Sequence, residues 1–330
     1  MPYITSLLYS QFLFTPPSPD DDFSGQVVIV TGSNTGLGFE AVKHLIRLNA
    51  ALVILAVRST SKGNAAVQSL LDTTGCAPNR LQVWQLDLSS YDSIKKFGSR
   101  VQTLERLDAV IQNAGILTFN WAVAEENESH ITVNVIGAVL LGLEVLPKLR
   151  ESAAKYRLRG RLSFVGSDLQ YIAKLSEKNE PGRVFDALNQ KDKADMGDRY
   201  KVSKLLLLYA VRALANASPL TEKSNVVINC MTPGACASDI FRDDVGWLQR
   251  KVMTTAVSLF ARTTEVGSRT LVQAVSPMLG PEFHGAFVWD CRPAPLGPNV
   301  EGAENEKLAE KVWDELVERL EKIKPGVTRV

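Results

Sequence analysis

From Phe23 to Trp289 the chain alternates short apolar, β-branched runs with longer stretches in which apolar residues recur every three or four positions. The runs Val27–Val30, Leu52–Val57, Leu81–Leu86, the one opening at Asp108, Arg161–Ser167, Asn225–Cys230 and Gly285–Val288 read as strands. Most are apolar on both faces, as strands are when helices cover a parallel sheet above and below. Between them, Phe39–Leu48, Lys62–Leu71, Tyr91–Leu104, His130–Leu149, Leu205–Leu214 and Thr264–Val275 carry helical spacing. This alternation predicts an α/β fold in three layers: a doubly wound, mostly parallel sheet of seven strands with helices on both faces.

The first strand breaks into Thr31-Gly32-Ser33-Asn34-Thr35-Gly36-Leu37-Gly38 and then enters a helical pattern. Glycines at 32, 36 and 38 let such a turn fold tightly, bring backbone near a pyrophosphate and seat the helix against the strand. The free N–H groups of the helix start would hold the phosphate charge. Glycine-rich turns of this kind also occur where nothing binds, so the reading depends on the rest of the chain. The second strand ends in Arg58-Ser59, followed by Lys62, with no acid where an NAD site places one for the ribose hydroxyls. Arginine at a strand end is often only solvated, but the missing acid argues separately for NADP(H).

Composition narrows the class. The chain has 330 residues, 45% of them hydrophobic and 22% charged, with a formal net charge of +1 and interspersed signs. That suits one globular domain and gives no footprint for nucleic acid. Cys76, Cys230, Cys236 and Cys291 form no C-x-x-C pair, and the three histidines share no ligand spacing, so no metal is expected. Unpaired thiols without a cleavable signal predict an intracellular, cytoplasmic protein. No apolar run reaches the ~20 residues a membrane span requires. The apolar segment 1–15 is expected to pack on its own domain or a partner subunit, with peripheral membrane contact as the sharper alternative.

Further along, Asp87-Leu88 follow the third strand, Gln112-Asn113-Ala114-Gly115 follow the fourth, and Asn134 is polar within an apolar helix. The fifth strand ends on Ser167; Tyr200 and Lys204, at i and i+4, share a helix face; and Pro233-Gly234-Ala235-Cys236-Ala237-Ser238 follow the sixth strand. A second Tyr-x-x-x-Lys, Tyr91 to Lys95, lacks a serine-ended strand before it and is read as structural. In this order over about Phe23–Trp289, the set resembles a classical-type short-chain dehydrogenase/reductase of Rossmann fold. Its loop and Ala56-Val57-Arg58-Ser59 look closest to the retinol-dehydrogenase-like branch and to fungal biosynthetic reductases.

The resemblance implies hydride transfer between a nicotinamide and a carbonyl or alcohol carbon. Tyr200 would be the acid or base, Lys204 its electrostatic partner and a ribose ligand, Ser167 a donor to the substrate oxygen, and Asn134 the holder of a water beside Lys204. It implies cofactor contacts at Gly32, Ser33, Asn34, Thr35, Gly36, Leu37, Gly38, Arg58, Lys62, Asp87, Leu88, Asn113, Ala114, Gly115, Tyr200, Lys204, Pro233, Gly234, Cys236 and Ser238. It also suggests a homodimer or homotetramer through the helices carrying Asn134 and Tyr200. Tyr200 follows Ser167 by 33 positions, a wide interval for the family, so 168–199 is expected to be a substrate-side flap or a mobile insertion. The expected organisation is an arm and Pro/Asp linker (1–22), one α/β domain (23–290) with an apolar lid (239–262), and an extension (291–330) bearing the amphipathic helix Lys307–Ile323. An apolar lid points to a bulky, mostly apolar substrate, as in secondary metabolism. A non-redox isomerase or dehydratase, and an NADP(H)-binding scaffold, are the alternatives.

Overall fold

The computed structural model describes residues 3–222, 224–237 and 261–329. Strands β1 (Val27–Thr31), β2 (Leu52–Val57), β3 (Leu81–Gln85), β4 (Ala109–Gln112), β7 (Gly160–Val165), β8 (Val226–Thr232) and β9 (Phe287–Trp289) pair in parallel, in the order β9-β8-β7-β4-β1-β2-β3. β5 (Val123–Ala124) and β6 (Asn127–Glu128) form a separate small hairpin. The central strands are buried residue by residue, which is why they lack polar alternation.

Among the described residues an eighth strand joins the seven parallel ones. β10 (Arg292–Ala294) folds back antiparallel on β9 and closes the sheet's edge. Asp290 and Cys291 both take positive φ, 51° and 63°, in the tight turn between them. Such turns require φ > 0, which the sequence does not advertise because neither residue is glycine. The turn spans position 290, where the sequence suggested that the domain ends.

Helices α2 (Gly36–Arg47), α3 (Thr60–Thr74) and α4 (Tyr91–Gln102) follow the first three strands. The helix after β6 begins as a π-helical segment, Ile131–Gly137, and continues as α5 (Ala138–Tyr156). The combined helix is long and apolar enough to cross a membrane, with a mean hydropathy of 1.6 over its best window, contrary to the expectation of no such run. Of that window, 94% is buried within the fold, so it is a core helix.

The interval 168–199 is folded. After short 3₁₀ turns it forms α6 (Val184–Leu188), whose Val184, Phe185 and Leu188 are buried, and it leads into α7 (Met196–Ala217). Its anchor lies far along the chain. Both oxygens of buried Glu315, in the C-terminal helix, accept from the amides of Val184 and Phe185 at 3.0 Å. The remaining helices are α8 (Thr264–Gln273) and α9 (Ala303–Ile323). In α9, Val312, Leu316 and Leu320 are fully buried, and Lys324 just beyond it reaches Glu144 of α5 at 2.7 Å. The N-terminal α1 (Tyr3–Leu8) and the turn after it lie back on the ends of β7, β8 and β9. Ile4, Leu8 and Leu13 remain exposed.

Candidate active site

β1 delivers its glycine turn to the carboxyl edge of the sheet, where open α/β sheets hold ligands. A cleft of about 470 Å³ opens there, lined among others by Gly32, Asn34, Thr35, Gly36, Leu37, Arg58, Asp87, Leu88, Asn113, Ala114 and Gly115. Gly32 and Gly36 have φ of +63° and +61°. A Cβ on Gly38 would stand 2.7 Å from both Asn113 Nδ2 and Gly32 O, so only glycine lets α2 approach this closely. Thr35, at the N-cap of α2, makes no side-chain capping bond, leaving first-turn amides to the cleft. Asn113 donates to Thr31 O at 2.9 Å and Gly32 O at 3.2 Å, and Thr31 Oγ1 accepts from Ala114 N at 2.8 Å. These bonds lock the two turns that flank the cleft. The cradle therefore fits a dinucleotide: uncapped amides for phosphate, and small residues where backbone must approach.

Other expected cofactor residues stand elsewhere. Ser33 is buried beneath the loop, its hydroxyl on Val30 O. Lys62 is exposed on the first turn of α3 and does not line the cleft. Asp87, by contrast, lines the cleft and also holds its own loop through Ser89, at 3.0 Å to the amide and 2.6 Å to the hydroxyl. Pro233, Gly234 and Cys236 follow β8 beneath Arg262, which donates to Pro233 O at 3.1 Å. Ser238 and nearly all of the expected lid lie outside the described residues.

The chemical set gathers at the ends of β7 and α7. Ser167, 8% exposed, caps the turn that follows it and hydrogen-bonds the Tyr200 hydroxyl. Lys204 is buried, with Nζ 2.8 Å from Val165 O and 5.6 Å from the centre of the Tyr200 ring. Burial pushes the Tyr200 phenol above its ordinary range, and the charge of Asp168 adds to this; the Ser167 bond pulls the other way. Burial also pushes Lys204 down to about 8, partly offset by Cys230.

Asn134 is buried and bridges two elements. Its Nδ2 donates to Ile116 O at 2.9 Å and Ser203 Oγ at 3.0 Å, and its Oδ1 accepts from Ile116 N at 2.9 Å. That amide ties the β4 loop to α7. It sits within the π-helical segment, where the regular backbone ladder is interrupted.

Sequence reasoning missed the groups around this set. His130, whose ring centre is 6.5 Å from that of Tyr200, faces Glu128 at 2.9 Å and accepts from Thr118 N at 3.2 Å. Glu128, Arg199 and Glu177 form a buried ionic cluster next to it. Asp168 is buried directly after Ser167. Among the described residues, no three His, Cys, Asp or Glu side chains gather as metal ligands would.

Known proteins share both sequence and architecture with this chain. The short chain dehydrogenase family pattern matches residues 26–169. The short chain dehydrogenase/reductase dmxR8 of Cryptosporiopsis sp. is 44% identical over 331 residues, covering 97% of this chain and 98% of that protein. The short-chain dehydrogenase anuD of Penicillium roqueforti is 40% identical over 333 residues, covering 98% and 84%. Among solved structures, a Shigella flexneri short chain dehydrogenase complexed with NADP superposes with a TM-score of 0.57 at 22% identity, covering 82% of this chain and 98% of that one. At that identity the likeness speaks for the fold alone. With near full-length relatives at 40% identity and above, and Ser167, Tyr200 and Lys204 assembled beside a dinucleotide cradle, the chain belongs to the short-chain dehydrogenase/reductase family.

Proposed function

We propose that this enzyme is an NADP(H)-dependent oxidoreductase acting on the carbonyl or alcohol of a bulky, mostly apolar small molecule of secondary metabolism. The observation that carries the cofactor choice is Arg58, which lines the cleft at the end of β2. A guanidinium there suits a 2′-phosphate, and no carboxylate competes with it. The test is a fluorescence titration with NADPH and NADH. Arg58→Ala is expected to weaken NADPH about tenfold, the scale of one charge-assisted hydrogen bond, and to leave NADH little changed. Equal binding of both cofactors by the wild type would refute the phosphate-reading role.

The bound cofactor supplies or accepts the hydride. The remaining tasks fall to the chain. In reduction, Ser167 Oγ donates to the substrate oxygen while Tyr200 passes its proton to the same oxygen. Lys204, charged below about pH 8, stabilises the phenolate left behind. Gly115 keeps this region open: a Cβ there would lie 3.1 Å from Asn134 Oδ1 and 3.6 Å from Lys204 Nζ.

The proposed assembly is a monomer, in place of the dimer or tetramer that the resemblance suggested. α9 already buries Val312, Leu316 and Leu320 against the fold, and Lys324 is tied to α5. A partner docking through α5 and α7 would have to displace that helix. Light scattering coupled to size exclusion is expected to return the mass of one 36.2 kDa chain; twice that mass would show that another surface mediates pairing.

A further inference from the structure

The catalytic set leaves one buried acid without a task. Asp168 is 6% exposed, and its carboxyl accepts from two distant parts of the chain: Thr232 Oγ1 to Oδ1 at 3.2 Å, and the Tyr3 hydroxyl to Oδ2 at 3.3 Å. The Tyr3 ring is stacked on Tyr171 with centroids 5.3 Å apart, and lies 6.3 Å from that of Trp289. The arm that carries Tyr3 is built in rather than laid on. Ser10 is 1% exposed, donates to Asp290 at 2.7 Å, and accepts from Trp289 Nε1 at 2.8 Å and Arg262 at 3.0 Å. Gln11 pairs both ways with the Ala235 backbone, in the turn after β8.

We propose that Tyr3 is a positioning residue of the active site, holding the Asp168 carboxyl beside the Tyr200 phenol and sealing it from water, so that the N-terminal arm belongs to the reaction machinery. The proposal rests on the reading of Tyr200 as the proton-transfer group. Tyr3 from the arm and Thr232 from β8 bond the Asp168 carboxyl. Its charge also acts on Tyr171 in the turn after β7, Tyr200 in α7 and Cys236 in the turn after β8, and that of Arg262, ahead of α8, acts on it. Burial pushes the carboxyl upward; the bonds from Thr232 and Tyr3 and the charge of Arg262 pull it back. Once ionised, Asp168 opposes formation of the Tyr200 phenolate, because like charges disfavour each other. The donor from Tyr3 thus helps to set the pH at which that opposing charge appears.

Tyr3→Phe keeps the stacked ring and removes only the donor. Asp168 is then expected to hold its proton to higher pH, and the base limb of alcohol oxidation to move down where the two titrations overlap. Asp168→Asn abolishes the charge, moves the limb further in the same direction, and cancels any effect of adding Tyr3→Phe. The infrared band of the protonated carboxyl, identified by its loss in Asp168→Asn, follows the same event without any substrate. Its titration is expected to shift upward in Tyr3→Phe. An unmoved limb and band in Tyr3→Phe, or an equal effect of Tyr3→Phe in the Asp168→Asn background, overturns the proposal. If the wild type turned over none of a panel of aromatic ketones and alcohols, the proposed activity would fall, while the infrared titration would still decide whether Tyr3 holds Asp168.

Discussion

Tyr200→Phe is expected to lower NADPH-dependent reduction of an aromatic ketone by about 10²–10⁴-fold, the usual scale for loss of a positioned acid, while NADPH binding is retained. The substitution removes one hydroxyl from a partly buried ring, and the ring's packing against His130 remains. Tyr200 does not line the cleft at the glycine turn, so cofactor binding and chemistry are expected to separate. Steady-state kinetics and fluorescence titration on the same preparation check both halves. Unchanged turnover would remove Tyr200 from the mechanism. Product formed without any change in NADPH absorbance would move the reading to non-redox isomerisation or dehydration.

Lys204 adds a sign to the pH dependence. Its folded value of about 8 lies below the ~10.4 of an exposed lysine. Between those values the unfolded chain binds more protons, so this group makes stability rise with pH there. Turnover that depends on the ammonium falls over the same range. Lys204 alone thus favours the fold as pH rises above about 8, while the buried thiols of Cys230, Cys236 and Cys291, which burial keeps protonated to higher pH, oppose it. The loss of activity over that range is expected to follow Lys204.

The sheet and the cofactor turn were legible because both rest on local sequence. A buried parallel strand must be apolar on both faces, and a turn that closes to 2.7 Å around Gly38 must have glycine there. Tyr91 and Lys95 show the limit of a motif: the spacing matches, yet Lys95 pairs with Asp92 at 2.8 Å on the surface and Tyr91 accepts from Asn127 at 3.3 Å. Only the serine-ended strand before Tyr200 told the two copies apart. What stayed hidden depends on long-range contacts. The 168–199 interval looks polar because its anchor, Glu315, is more than a hundred residues away. The arm looks like a tail because its receptor is assembled from Asp168, Arg262, Trp289 and Asp290. Periodicity is blind to both, since it reads neighbours in sequence and these are neighbours only in space.

The same blindness covered Arg199, where the second large effect is expected: Arg199→Ala should cost about 3–5 kcal/mol of stability by urea denaturation, the range for breaking a buried ion pair from one side. Arg199 is 1% exposed, with Nη1 2.9 Å from Glu177 and Nε 3.8 Å from Glu128. Its N–H groups meet no well-aligned hydrogen-bond acceptor, so the attraction is chiefly ionic. Burial alone would raise the Glu128 carboxyl, but its bonds and charge contact with His130, together with Ser129, hold it below the usual range. A carboxyl lowered on folding stabilises the fold above its unfolded value of ~4.3, and that contribution is lost as pH falls through the folded value. Without Arg199, two carboxylates share a dry site beside Tyr200, and protonation relieves them. The deficit of the variant is thus expected to be largest near pH 7 and to shrink toward pH 4. Adding Glu177→Gln should recover part of it at neutral pH. A deficit that is independent of pH would mean that Arg199 supports the site by filling space, because a cavity costs the same at every pH and an unpaired carboxylate does not.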